Sequence, residues 1–284
     1  MNALRDVIKE FQDSRRAIGH FNFSDSNQLK AIAEAAKEAN LPVIAGLSEG
    51  ERDFFPLAHA RALVDIYRAQ GVEIFLNADH TYSVEKVQRA IAAGVDSVVV
   101  DGAKLPLEEN ILMLSACVKY AKASGRDVVM EGELGYIGTS SKPLESLPEG
   151  VSPENLTSVE DSRRVLEASG IDCFAPAVGN VHGMLTSAKE PKLHPERVKD
   201  IADAIKIPLV LHGASGNTEE EIKECIKAGV VIVHINTELR IAYRKGLENS
   251  LKNNPNEVAP YKFLAPAVED MKKYIAERIR AFAQ

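Results

Sequence analysis

Cysteine is scarce in this chain. The three residues, Cys117, Cys173 and Cys225, are odd in number, far apart and without Cys-x-x-Cys spacing, which argues against a disulfide framework and a thiolate zinc site. Excess positive charge is missing too. Lys and Arg total 34 against 41 Asp and Glu, a formal charge of -7, and no basic stretch carries interleaved aromatics, so nucleic acid has no electrostatic reason to bind. No apolar run approaches the roughly 20 residues of a membrane span. The first residues, MNALRDVIKEFQDSRR, carry charge throughout and lack the apolar centre of a signal peptide. These absences leave a small-molecule protein, expected in the cytoplasm and without nucleic-acid or membrane partners.

What is present is an ordinary globular composition, 45% apolar and 26% charged over 284 residues, enough for one large core. Eight short apolar runs occupy residues 16–23, 42–49, 72–80, 97–103, 127–135, 172–183, 208–216 and 230–238, and runs of this kind mark strands buried on both faces. Amphipathic stretches such as SNQLKAIAEAAKEAN and TEEEIKECIKAG alternate with them, with apolar residues at helical spacing. Eight β/α repeats without a linker or a shift of composition predict an α/β chain of a single domain, residues 1–284, closed into a (β/α)8 TIM barrel, a fold of typically about 250 residues. The stretch before the first strand is expected to form a helix closing the barrel's bottom. One segment, residues 135–160, is too long and too rich in Pro, Ser and Gly for a simple turn, as lids are.

In such barrels the chemistry sits at the C-terminal strand ends. Those ends carry Asn22, Ser48, Asp79 with His80, Asp101, Glu131 with Glu133, Asn180 with His182, His212 with Ser215, and His234 with Asn236 and Thr237. Neutral turns would not need so dense a polar ring, since each unpaired polar group costs a few kcal/mol. His80, His182 and His212 each stand at or just before a loop. Singly, each reads as a hydrogen-bonded strand cap; together, three imidazoles leaving a position open are the ligand set of a catalytic Zn2+ or a similar divalent ion. Asp79 beside His80 is either support for a ligand or a proton carrier. His20, His59 and His194 read as structural or exposed. HGASG (212–216), ahead of a helix opening NTEEE, offers backbone N–H groups and Ser215 to an anion, and the NTE of 236–238 offers a second cradle before the last barrel helix. Both follow strands 7 and 8, where barrels often bind phosphate.

With these residues assembled, the chain resembles the class II, metal-dependent ketose-bisphosphate aldolases, which include the fructose- and tagatose-bisphosphate enzymes. The likeness runs nearly end to end through AIGHFNF, PVIAGLSEG, NADHTYSVEKVQRAIAAGVDSVVVDGAKLPLEENI, EGELGYIG, GNVHG, PLVLHGASG and NTELRIAYRKGL. It implies that His80, His182 and His212 hold zinc, that Glu133 joins the metal in an alternative position, and that Asp79 exchanges the proton of the C4 hydroxyl. Gly183, Gly213, Ala214, Ser215, His234, Ile235, Asn236 and Thr237 match the dihydroxyacetone-phosphate site, where a monovalent cation, Na+ or K+, also fits. Asn22 and Ser48 match lesser substrate contacts. The implied activity is reversible cleavage of fructose 1,6-bisphosphate to dihydroxyacetone phosphate and glyceraldehyde 3-phosphate, with tagatose bisphosphate, another ketose phosphate, or binding without turnover as alternatives. A homodimer or homotetramer is the implied assembly.

Three positions depart from the pattern. The loop acid that reprotonates the carbanion is expected shortly after the fifth strand, where this chain has Ser140 and Ser141, leaving Glu145, Glu149 or another group as the substitute. Strand 8 carries His234 where relatives commonly have asparagine. A DPRKY pattern is altered to APYKF at 259–263. Competing classes fit less well. A zinc hydrolase on this barrel predicts His-x-His at the end of strand 1, which here reads His20-Phe21-Asn22, and a Schiff-base aldolase needs a strand-end lysine, for which only Lys104, beyond strand 4, is near.

Overall fold

The structure, a computed structural model, describes residues 2–139, 141–152, 154–186 and 189–284. Eight parallel strands close into a barrel. In chain order they are Ile18–Asn22, Val43–Leu47, Ile74–Thr81, Ser97–Asp101, Val129–Leu134, Cys173–Pro176, Leu209–Leu211 and Val230–Ile235, called strands 1 to 8 below. Each falls within one of the eight apolar runs except strand 3, which extends one residue beyond its run, to Thr81. Strand 1 pairs with strand 8 to close the cylinder, Ile18 opposite Ile232 and His20 opposite His234. An additional two-residue pairing, Pro143–Leu144 with Met184–Leu185, tethers the segment after strand 5 to the one after strand 6. Among the described residues no helix is long and apolar enough to cross a membrane.

The core has two parts, as the alternation of strand side chains requires. Outward-facing strand residues such as Leu76 and Val98 pack against the helices through Leu29, Ile32, Leu114 and Ile275. Inward-facing Ile18, Ile44, Phe75, Val129, Val210 and Ile232 fill the lower barrel, where helix Leu4–Asp13 presses Leu4, Val7, Ile8 and Phe11 against them. That helix is the expected plug. Arg5 fastens it, donating to Asp127 at 2.7 Å, to Asp172 at 2.5 and 2.8 Å, and to the Val128 carbonyl at 2.8 Å.

With the bottom filled by hydrocarbon, polar side chains are confined to the upper layers. One of them is His20, fully buried on strand 1. Its Nε2 meets Asn77 Oδ1 at 3.1 Å, and Asn77 donates to Ser97 Oγ at 2.7 Å. Gly46 on the neighbouring strand makes room for this ring, because a Cβ there would stand 2.2 Å from His20 Nε2. Gly46→Ala is therefore expected to cost about 1–3 kcal/mol by overpacking. Thermal unfolding should show it as a Tm lower by roughly 3–10 °C; an unchanged Tm would mean that the His20 ring is free to move.

Candidate metal and sugar-phosphate site

Strand 3 makes the site possible through one irregularity. In a regular strand Asp79 and His80 would point to opposite sides. Here the register with strand 4 slips between Ala78 and Thr81, and His80 takes a left-handed φ of 38°, so that both side chains reach the mouth. Arg52 braces the bend by donating to the carbonyls of Leu47 (2.6 Å) and Asp79 (2.8 Å) and to Thr81 Oγ1 (3.2 Å).

His80, His182 and His212 converge, each offering a ring nitrogen within 4.8 Å of the others. Fixed partners select the free nitrogen. His80 Nδ1 is 2.8 Å from Asp101 Oδ2, His182 Nδ1 donates to the Gly138 carbonyl at 2.8 Å, and His212 Nε2 meets Glu131 Oε1 at 2.6 Å. A carbonyl only accepts, so the His182 proton sits on Nδ1. His80 Nε2, His182 Nε2 and His212 Nδ1 are left facing one another, the first and third 3.4 Å apart. Two nitrogens bound to a tetrahedral ion at about 2.0–2.1 Å would stand roughly 3.3 Å apart, so this donor set fits a divalent metal. Burial, then the proximity of His80 and His212, push His182 down to about 3, which keeps it neutral as a ligand must be. Glu133 is buried on strand 5, its Oε2 3.3 Å from His80 Nδ1. Burial, then repulsion from Asp101, raise its carboxyl above the ordinary value. His80, Asp101 and Glu133 form a second convergent group, on the far side of the His80 ring.

Asp79 stands over the triad, buried. Its Oδ2 accepts from Asn22 Nδ2 at 2.9 Å, while Oδ1 has no partner at full hydrogen-bonding distance. Burial opposes its ionisation, but the imidazoles of His80, His234 and His20 outweigh that and hold the carboxyl well below its usual range. Asp79 is thus a carboxylate able to take a proton. His234 also faces the mouth, and burial, then His20 and His212, hold its imidazolium well below the ordinary range, leaving the ring neutral.

Most residues predicted from the sequence line one cleft: Asn22, Asp79, His80, His182, Gly183, His212, Gly213, Ser215, His234, Asn236 and Thr237, joined by Ser141. Ser48 borders the adjoining hollow with Arg240, and Glu133 faces a separate one with Tyr82 and Lys104. Ala214 and Ile235 are buried in the outer core, so only their backbones are available. Ser140 lies outside the described residues; Glu145 and Glu149 are exposed. Gly213 and Ser215 of the HGASG loop line the cleft. The helix that follows adds nothing to an anion there, because Thr218 and Glu221 cap helix Glu219–Ala228 reciprocally and Glu219, Glu220 and Glu221 fill its first turn. Helix Thr237–Asn253 has no side-chain cap at Asn236, and its N-terminus adjoins Gly213 and Ser215 across the cleft. Gly213 (φ 57°) is required there, since a Cβ would stand 2.7 Å from the Val181 carbonyl.

Two functional neighbours escape a motif reading. Glu51 is buried and accepts from Asn22 Nδ2 (3.0 Å), Ser48 N (2.8 Å) and Ser48 Oγ (2.9 Å). Arg240 donates to Glu51 at 2.6 Å and to the Ser141 carbonyl at 3.0 Å. The Ser48-x-x-Glu51 capping box was the available signal for the first; Arg240 had none.

The mouth of this α/β barrel gathers three convergent imidazoles, a buried carboxylate and an uncapped helix N-terminus, groups able to hold a metal ion and an anionic small molecule. The chain belongs to the class II fructose-bisphosphate aldolases, matching the family model described as "Fructose-bisphosphate aldolase class-II" over residues 2–284. It is 33% identical to the fructose-bisphosphate aldolase of Geobacillus stearothermophilus over 286 residues, 99% of this chain and 96% of that one. It is equally 33% identical to the 6-phospho-5-dehydro-2-deoxy-D-gluconate aldolase of Bacillus licheniformis, over 99% of this chain and 94% of that one. Among solved structures it superposes on the YdjI aldolase of Escherichia coli K12 with a TM-score of 0.80 at 26% identity, covering 99% of this chain and 96% of that one.

Because Glu131 sets which nitrogen of His212 is free, Glu131→Ala should weaken divalent-metal binding about 10- to 100-fold. A competition titration against a chromophoric chelator measures this, and unaltered affinity would show that His212 is oriented without its carboxylate.

Proposed function

We propose that the protein is a metal-dependent aldolase that reversibly cleaves a ketose phosphate to dihydroxyacetone phosphate and an aldehyde, with fructose 1,6-bisphosphate as the first candidate substrate. The observation that carries this reading is the placement of the Asp79 carboxylate 3.9 Å from the free nitrogen of His80, inside the three-imidazole cluster. In this reading His80, His182 and His212 hold Zn2+ or another divalent ion, with Glu133 available to an alternative position. When bound, the metal supplies Lewis-acid stabilisation of the charge that develops at the ketone end.

The chain's own groups do the rest. Backbone N–H groups at Gly183, Gly213, Ala214 and the turn from His234 through Ile235 and Asn236 to Thr237, with Ser215, receive the phosphate, and a Na+ or K+ ion is accommodated beside it. Asn22 and Ser48 orient the sugar. Asp79 Oδ1 takes the C4 hydroxyl proton as the C3–C4 bond breaks and returns it in the synthetic direction. Reprotonation of the carbanion falls to a group of the loop after strand 5, with Glu145 and Glu149 as the carboxyl candidates. The working form is a cytoplasmic homodimer or homotetramer.

A second sugar is favoured by two points: His234 lines the cleft at the position where the family resemblance implies asparagine, and one relative at 33% identity is named for a deoxygluconate phosphate. Tagatose 1,6-bisphosphate and ketose monophosphates therefore belong in the assay beside fructose 1,6-bisphosphate. Released dihydroxyacetone phosphate, measured with a coupled dehydrogenase, should vanish after chelation and return with Zn2+, while borohydride traps no adduct. Activity surviving chelation would sink the metal reading, and phosphate binding without any release would leave a sugar-phosphate binder. Asp79→Ala should keep the metal and lose about 100-fold or more of kcat; wild-type turnover would remove Asp79 from proton transfer.

A further inference from the structure

Barrel closure places His234 of strand 8 directly opposite His20 of strand 1, and the two rings stack with centroids 3.5 Å apart and planes within 6°. The other face of His234 lies on His212, centroids 3.9 Å apart at 25°. Both outer rings are anchored, His20 by Asn77 and His212 by Glu131. The middle ring is therefore held in plane between them, and it presents Nδ1 at 3.5 Å to Asp79 Oδ1. That oxygen is the buried one without a hydrogen-bond partner, while Asn22 occupies Oδ2.

We propose that His234 is a positioning residue for Asp79: clamped between two imidazoles, it offers Nδ1–H to Oδ1 and, with Asn22 on Oδ2, fixes the rotation of the carboxylate toward the substrate hydroxyl. This rests on the reading of Asp79 as the proton carrier. A carboxylate held at one oxygen swings about its χ2, which is broad for Asp, and a misplacement of about 1 Å can cost roughly 100-fold in rate. A bare ring stack would serve packing alone; the nitrogen edge turned to the orphaned oxygen distinguishes the two roles.

Two variants separate ring from donor. His234→Phe keeps the stack and removes the N–H, and His234→Asn removes the stack and keeps an amide donor. With the zinc-loaded enzyme, His234→Phe should lower kcat for cleavage about 10- to 100-fold with KM and zinc content within about twofold. Exchange of the dihydroxyacetone-phosphate C3 hydrogen with solvent, which does not use the C4 hydroxyl, should also stay within about twofold, and His234→Asn should recover much of the loss. Exchange falling in step with cleavage, or KM rising as kcat falls, would assign His234 to the phosphate half of the substrate and overturn the proposal, as would unchanged kcat or lost zinc. Crystal structures of zinc-loaded wild type and His234→Phe give a reading free of turnover. The Asp79 carboxylate should rotate in the variant while the three ligand histidines stay in place, and an unmoved carboxylate refutes the role. Should the wild type neither cleave nor exchange any ketose phosphate, the proposed reaction fails, and the crystallographic comparison still decides the contact.

Discussion

The left-handed residue at His80 is the constraint on which the site depends. A non-glycine residue at φ 38° costs on the order of 1–2 kcal/mol, and the slip against strand 4 gives up regular pairing as well. In return two adjacent side chains share one face. His80 then reaches Asp101 on strand 4, Asp79 reaches Asn22 on strand 1, and the metal-facing nitrogen and the proton-accepting oxygen come to lie side by side. Without the slip, one of the two would point into the hydrocarbon between sheet and helices. Arg52, spending its guanidinium on two carbonyls and a hydroxyl around the bend, is the compensation that keeps the strain in place.

Around that bend the charges are arranged in alternation. Asp79, Asp101, Glu131 and Glu133 are buried carboxyls, and each lies within 4 Å of an imidazole nitrogen. Withdrawing such groups from water costs several kcal/mol per ion unless opposite charge and hydrogen bonds compensate. Protein donors cover part of this set. Asp101 and Glu131 are satisfied by the histidines they orient, whereas Asp79 Oδ1 and Glu133 Oε2 have no partner at full hydrogen-bonding geometry. These two oxygens flank His80 on its two nitrogen edges. The site is thus fully organised in its support and open at the positions where chemistry is assigned.

Much of this was legible in the chain. Apolar runs locate strands reliably when both faces are buried, and each of the eight marks one barrel strand, with only strand 3 passing its end, by one residue; the strand-end histidines follow from barrel geometry. The illegible parts are those set by closure and by long-range pairing. His20, read as structural, is indeed packing, but only the meeting of strands 1 and 8 shows that it stacks on His234 and so touches the site. Glu51 and Arg240 belong to different ends of the chain, and their pairing has no local pattern. The helix starts after strands 7 and 8 look alike as motifs. They differ because Thr218 and Glu221 close the first on itself, whereas Asn236 gives the second no side-chain cap.

The same network links the two ends of the proposed proton traffic. Glu51 receives Asn22, which holds Asp79, and it also receives Arg240, which grips the Ser141 carbonyl in the loop after strand 5. Asp79 is thus connected to the segment expected to reprotonate the carbanion through the buried carboxylate of Glu51 and two donor side chains, Asn22 and Arg240. Any displacement of that loop pulls on Arg240 and, through Glu51, on the amide of Asn22. In its proposed role His234 acts on the opposite oxygen of Asp79 from a ring stack anchored by Asn77 and Glu131. One side of the carboxylate is therefore tied to a surface loop and the other to the core. Such a division lets the loop change position while the ring stack preserves the line of proton transfer, because the stack shares no hydrogen bond with the loop's tether.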